Sequence, residues 1–156
     1  MSGRGGRMHT EHLQNVRAGR VVAGWLVALA VASLAALALG SAGLLTEETS
    51  PANTLWSVLA VMAGFFAGGF FTGFRAMEAP ILHAAGIGLM SLIAWFALNA
   101  IAGLFFPSWA WPSLTPQLAV GLLFTQFVAA MVGALLGYNF ALRGKPGLTE
   151  HEPLNG

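Results

Sequence analysis

LWSVLAVMAGFFAGGFFTGF, residues 55–74, decides the fold. Leu55 to Phe74 contains no Asp, Glu, Lys or Arg. At 1.5 Å per residue, a helix of about 20 residues covers about 30 Å, the hydrocarbon thickness of a bilayer. Three further runs are equally free of those residue types: Val21 to Leu45, Ile81 to Phe106 and Leu118 to Leu142. All seven prolines, at positions 51, 80, 107, 112, 116, 146 and 153, fall outside the four runs. Each run is therefore predicted to be an unbroken helix, and Pro80 suits the first turn of the third. The expected fold is all-α, a polytopic four-helix transmembrane bundle.

Composition agrees. Of 156 residues, 56% are hydrophobic and 8% charged, with a mean hydropathy of +0.72. A soluble domain is about one quarter charged, so the apolar excess has to face lipid. A net charge of +1 gives no ground for a nucleic-acid partner. The absence of cysteine excludes disulfides, thiolate metal sites, iron-sulfur ligation and cysteine nucleophiles.

The basic residues set the orientation. Arg4, Arg7, Arg17 and Arg20 precede span one, Arg75 sits between spans two and three, and Arg143 and Lys145 follow span four. The other side has Glu47 and Glu48 in the loop Thr46 to Thr54, and no charge between Pro107 and Gln117. The positive-inside rule then puts both termini in the cytoplasm of a plasma-membrane protein, with Trp56, Trp109 and Trp111 at the outer interface. Gly40, Ser41 and Ala42 resemble a signal-cleavage site, but the apolar run before them exceeds the usual core of about 7 to 15 residues, so span one is expected to stay. The chain divides into a cytoplasmic segment (1–20), a transmembrane domain (21–142) and a disordered cytoplasmic tail (143–156). Residues 10–20 are expected to form an interfacial helix running into span one.

Glycine positions point to helix contacts. Gly64 and Gly68 form one GxxxG pair in span two and Gly69 and Gly73 a second, about 140° away on a helical wheel, so this span is expected to meet a neighbour on each side. Phe66, Phe70, Phe71 and Phe74 form the opposite half, and Phe65 breaks the pattern. Span four places Gln126, Ala129, Ala130, Gly133 and Gly137 on one face, with Phe124, Phe127, Val128, Met131, Leu135 and Tyr138 opposite. Ala84, Gly88, Ser91, Trp95, Asn99 and Ala102 share a face of span three. In span one, Gly24, Ala28, Ala32, Ala36 and Gly40 mark a local close approach, since an i+4 column drifts about 40° per step. Spans two and four end alike, with Gly69, Gly73 and Phe74 in one and Gly133, Gly137 and Tyr138 in the other. This suggests two hairpins repeated in parallel.

The polar residues that matter within the spans are His83, Asn99, Gln126 and Asn139, with Ser33, Ser91, Thr72 and Thr125 as lesser cases, and His83, Ser91, Asn99 and Gln126 are the site candidates. Asn99 and Gln126 both lie about 11 Å from the outer ends of their spans and are predicted to hydrogen-bond each other. His83, near the inner end of span three, is expected to bond Thr72, the loop backbone or a lipid headgroup. His9, Glu11 and His12 would make a metal site with Glu150, His151 and Glu152 only if the two ends met, so no metal or other cofactor is expected. Nucleotide loops, a serine elbow, HExxH and paired intramembrane aspartates are all missing from the sequence, and an enzyme is not expected.

Gly68, Gly69, Phe70, Gly73 and Ala76, followed by His83 and Ala84, resemble small four-span bacterial membrane proteins of unassigned function. In these the second span ends in a Gly-Gly-aromatic run with a further glycine, and the third opens with His-Gly. Here Ala84 stands in place of that last glycine. The resemblance implies the four-helix topology and the importance of the inner hairpin, but no activity or ligand. The expected role is a structural or accessory subunit acting through helix packing, as a homo-oligomer or within a larger membrane complex. The alternative is a small oligomeric transporter or channel lined by neutral polar groups, Asn99, Gln126, Ser91 and His83.

Overall fold

The computed structural model describes residues 17–46, 50–75, 79–105 and 116–143. Among these there are four helices and no strand: α1 (Ala18–Ser41), α2 (Pro51–Arg75), α3 (Pro80–Phe105) and α4 (Pro116–Arg143). All four are long and apolar enough to cross a membrane. The expected all-α four-helix transmembrane bundle is the observed one. The N-terminal segment, the tail, the six candidate metal ligands and the loop bearing Trp109 and Trp111 lie outside the described residues.

Local chemistry sets the helix ends. Proline opens α2, α3 and α4, where its missing N–H costs nothing and its fixed φ suits a first turn. Ser50 caps α2, its Oγ accepting from the Asn53 N–H at 3.2 Å. Asn53 also ties α2 back to the end of α1, its Nδ2 donating to the Thr46 carbonyl at 3.0 Å and to Thr46 Oγ1 at 2.8 Å. Helix α1 stops four residues before the predicted end of its span. Gly43 takes φ +72, the Leu44 N–H donates to Leu39 O at 2.9 Å and the Gly43 N–H to Gly40 O at 3.0 Å. These are the two bonds of a Schellman ending, which needs a residue tolerant of the left-handed region. At the other end Arg17 is extended (φ −85, ψ 108) and is the N-cap, so α1 begins at Ala18; the rest of the expected interfacial helix, residues 10–16, lies outside the described residues.

Close contacts give the helix directions. Gly24 of α1 lies against Gly68 of α2, and Ala28 against Gly64, which makes an antiparallel hairpin. Between α2 and α4, Gly69 meets Ala130, Gly73 meets Ala134, Gly133 meets Phe66 and Gly137 meets Phe70. These contacts are parallel and reciprocal under a constant offset of 64 residues (66 to 130, 69 to 133, 70 to 134, 73 to 137). The same offset carries α1 onto α3 and Gly24 onto Gly88. The predicted parallel relation is therefore present between α2 and α4. Helix α2 touches all three others, whereas α1 and α4 lie apart.

Arg17, Arg20, Arg75 and Arg143 all fall at one end of the bundle, called here the arginine end. The core sits in that half. It comprises Val21, Gly24 and Ala28 of α1, residues from Ala60 to Gly73 of α2, His83, Ala84, Ile87 and Gly88 of α3, and residues from Gln126 to Gly137 of α4. Toward the far end α1 and α3 are uncovered, with Leu37 70% and Leu104 78% exposed.

Candidate functional site

Glycine against backbone builds the crossing points. A Cβ at Gly133 would sit 2.9 Å from Phe70 N and inside contact distance of Phe66 O, and one at Gly73 would lie 2.7 Å from the Ala134 backbone. No flexible side chain stands there to give way, so only glycine permits this approach. Gly64 and Gly68 face α1, and Gly69 and Gly73 face α4. The two GxxxG pairs thus meet a neighbour on each side, as their angular separation predicts. Phe65, which broke the aromatic face, is 2% exposed and belongs to the core, whereas Phe66 and Phe74 are exposed. Phe70 and Phe74 stack at 6.3 Å, and Phe140 of α4 joins both rings at the same distance. Arg75 covers Phe71, its guanidinium carbon 5.2 Å from the ring centroid.

In α4 the small face is buried as predicted. Two members of the opposite face depart from the expectation: Phe127 packs on Gly88 of α3, and Met131 packs on the core. The contacts of α1 show its glycine and alanine column to be a local approach. Gly24, Ala28 and Ala32 meet α2, and Gly40 has nothing near it.

His83 is fully buried where α1 begins. Its Nδ1 lies 3.0 Å from the Ala79 carbonyl oxygen, and its Nε2 is 3.4 Å from the Arg17 backbone nitrogen. The tautomer with hydrogen on Nδ1 satisfies both contacts, donating to Ala79 and accepting the orphan N–H at the N-cap of α1. Of the three partners expected for His83, the loop backbone is the one found. The Arg17 bond had no sequence signal, because its donor is main chain. Thr72, also buried, turns its hydroxyl to Gly68 O at 2.7 Å, which lets Gly24 pack beside it.

The predicted pair of Asn99 with Gln126 does not form. Asn99 Nδ2 donates at 2.7 Å to Trp95 O one turn back in its own helix. Gln126 is 8% exposed, and its buried Oε1 has no hydrogen-bond partner. The reason is register. Gly88 lies against Phe127, so in this antiparallel pair Gln126 stands near Ser91, two turns short of Asn99. Gln126, Ser91 and Trp95 line a cavity of about 60 Å³ with Ala119, Leu122 and Leu123. The polar face of α3 is thus brought to α4, with Ser91 beside the same cavity as Gln126 and no hydrogen bond between them.

Two apolar grooves flank these helices. One, about 340 Å³, runs between α3 and α4 past Gly88, Leu92 and Phe127; the other, about 380 Å³, lies between α2 and α4 past Met62, Phe66 and Val132. The described residues contain no cluster of three or more His, Asp or Glu able to hold a metal ion. Comparison with known protein families, with curated proteins and with solved structures finds no match.

Proposed function

We propose that this chain is a structural or accessory subunit of a plasma-membrane assembly, with both termini in the cytoplasm, acting through helix packing with copies of itself or with other subunits. The observation that carries this reading is the uneven burial of α3. Its first three turns supply His83, Ala84, Ile87 and Gly88 to the core, while beyond them Leu89, Ile93, Phe96, Leu98 and Ile101 are each more than half exposed. Leu89 and Leu98 point to opposite sides of the helix, so beyond Gly88 α3 exposes apolar side chains on two sides while its Ser91 and Trp95 side faces α4. Between membrane helices, association depends on close packing, and this bundle makes its closest contacts with backbone at glycine. Several of the neutral polar groups are drawn into its own structure: Asn99 and Thr125 bond carbonyls of their own helices, and His83 secures the start of α1. The fully buried Ala84 and Ile87 lie between the depth of His83 and that of Ser91 and Gln126, which weighs against a continuous polar path and so against the transporter reading.

Native mass spectrometry from the chain's own membrane tests the proposal. The expected spectrum contains a stoichiometric assembly of copies or of unrelated subunits. A lone monomer, together with solute flux in liposomes that is lost in Asn99→Leu, would refute it.

A further inference from the structure

The contacts between α2 and α4 repeat when the two helices are exchanged: Gly69 meets Ala130 as Gly133 meets Phe66, and Gly73 meets Ala134 as Gly137 meets Phe70. Parallel helices with reciprocal contacts are related by a local two-fold axis running along them. A place occupied on one side of the pair therefore has a counterpart on the other. Helix α3 occupies one such place. Its Gly88 lies under Phe127, and its Ser91 and Trp95 stand across the small cavity from Leu123 and Gln126 of α4. The counterparts of Leu123, Gln126 and Phe127 are Leu59, Met62 and Ala63 of α2, and all three line the groove of about 380 Å³ between α2 and α4.

On α4 that groove is walled by Val128 and Val132, turned about 100° and 140° from Phe127, so it opens on the side away from α3. It is the second seat for a helix like α3, and no described residue fills it: Leu59, Met62, Phe66, Val128 and Val132 are each 38–45% exposed. The seats differ in shape. Phe127 fills the space over Gly88, whereas its counterpart Ala63 leaves room for a bulky side chain. Val128 and Val132 stand where α2 has Gly64 and Gly68, the residues that close α1 onto α2, so this seat takes side chains and not a close backbone.

The helix that fits is α3 of a second copy. In a copy of the same orientation it runs antiparallel to α2 and α4, as it does in its own bundle. Leu89, Ile93 and Phe96, 53–60% exposed, are turned away from the Ser91 and Trp95 side. They lie 9, 13 and 16 residues from Pro80 at the arginine end, and Phe66, Met62 and Leu59 lie 9, 13 and 16 residues from Arg75 at that same end. At 1.5 Å per residue both sets stand about 14, 20 and 24 Å from it.

We propose that the Leu89, Ile93 and Phe96 ridge of α3 in one copy seats in the α2–α4 groove of the next, an inference that rests on the self-assembling role proposed above. With about 200 Å² for a phenylalanine and somewhat less for each aliphatic side chain, the exposed parts of these eight residues amount to on the order of 700 Å² per contact. One such contact falls short of the roughly 1,200 Å² of a stable pair. Ridge and groove lie on opposite sides of each copy, so the contact is heterologous and every copy makes it twice. Two contacts total about 1,400 Å², which favours a closed ring over a dimer.

The test uses the whole chain in its own membrane, where the absence of native cysteine removes background. One tagged copy carrying Ile93→Cys is co-expressed with another carrying Met62→Cys and treated with a short, membrane-permeant bifunctional thiol reagent. Leu34→Cys, at a position 65% exposed and 17 residues from Arg17, replaces Met62→Cys as the control for chance encounter at similar depth. Linkage is expected with Met62→Cys and not with Leu34→Cys, and a chain carrying both Ile93→Cys and Met62→Cys is expected to link into species larger than dimers. Ala63→Phe installs at an exposed site the residue that α4 has at the counterpart position. It is expected to abolish the linkage and leave only monomer in the native mass spectrum, with thermal unfolding as in the parent. The proposal is overturned if Leu34→Cys links as well as Met62→Cys, if the doubly substituted chain stops at dimers, or if Met62→Cys links to an unrelated protein or to nothing. An assembly that survives Ala63→Phe removes this contact and leaves the subunit reading standing, whereas a lone monomer in the unsubstituted chain removes both.

Discussion

Replacing Gly133 by alanine adds one methyl group where α2 and α4 cross. That carbon would lie 2.9 Å from Phe70 N and 3.0 Å from the Phe66 carbonyl carbon, and nearer still to the Phe66 oxygen. All three are main-chain atoms of a helix, so no rotamer change relieves the overlap and the helices must separate. Separation also loosens the matching contacts at Gly69, Gly73 and Gly137, since dispersion falls steeply with a gap of even 0.5–1 Å. Overpacking of this kind costs about 1–3 kcal/mol, which for a chain of this length lowers the melting temperature by about 3–10 °C. Gly121→Ala is the internal control. It lies in the same helix with nothing within 4 Å of its added carbon, and alanine favours a helix by about 1 kcal/mol over glycine. Thermal unfolding in mild detergent, followed by circular dichroism, should therefore show Gly133→Ala below the parent and Gly121→Ala at or above it. Gly69→Ala combined with Gly133→Ala should cost less than the two separate losses together, because helices already forced apart admit the second methyl more easily. If Gly133→Ala and Gly121→Ala melt together, the crossing described here is wrong.

Other substitutions probe the remaining contacts. His83→Ala removes a fully buried ring with two backbone partners and should cost about 2–4 kcal/mol in the same unfolding assay; a loss below about 1 kcal/mol would contradict its role at the start of α1. Asn99→Leu should change stability by less than about 1 kcal/mol, because the bond it loses returns to its own helix. A large loss in that variant would instead indicate a partner across the bundle. Because the chain lacks cysteine, single introduced cysteines report sidedness without background. In intact cells a membrane-impermeant maleimide should label Leu44→Cys and leave Arg143→Cys unlabelled until the membrane is opened, and the reverse pattern would invert the proposed orientation.

The four helices were legible because each condition that makes them is local. A run of about 20 apolar residues must satisfy its backbone within itself in lipid, and proline marks where a helix begins. Glycine spacing is informative for a similar reason: at i and i+4 two glycines share a face, and each paired face of α2 meets a neighbouring helix. Phe65 follows from the same wheel: at 100° per residue it falls in the middle of the glycine half of α2, and that half is the buried one. The pairing of Asn99 with Gln126 was not legible. Equal depth in the membrane was a fair inference for two separate helices, but the register of α3 on α4 is set by Phe127 seating on Gly88, a contact between residues far apart in the chain.

By itself the sequence determined the number of helices, their approximate bounds, the end at which the arginines gather and the faces that permit close approach. These follow from hydropathy, charge and a period of 3.6 residues, all properties of short segments. Only the tertiary structure decided that α2 meets every other helix, that His83 accepts the first N–H of α1, and that the second hairpin stands open around Gln126 while the first is shut. Those outcomes depend on which backbone a given glycine or valine meets. Composition alone does not specify that neighbour, since lipid and a second helix are equally apolar and only shape distinguishes them.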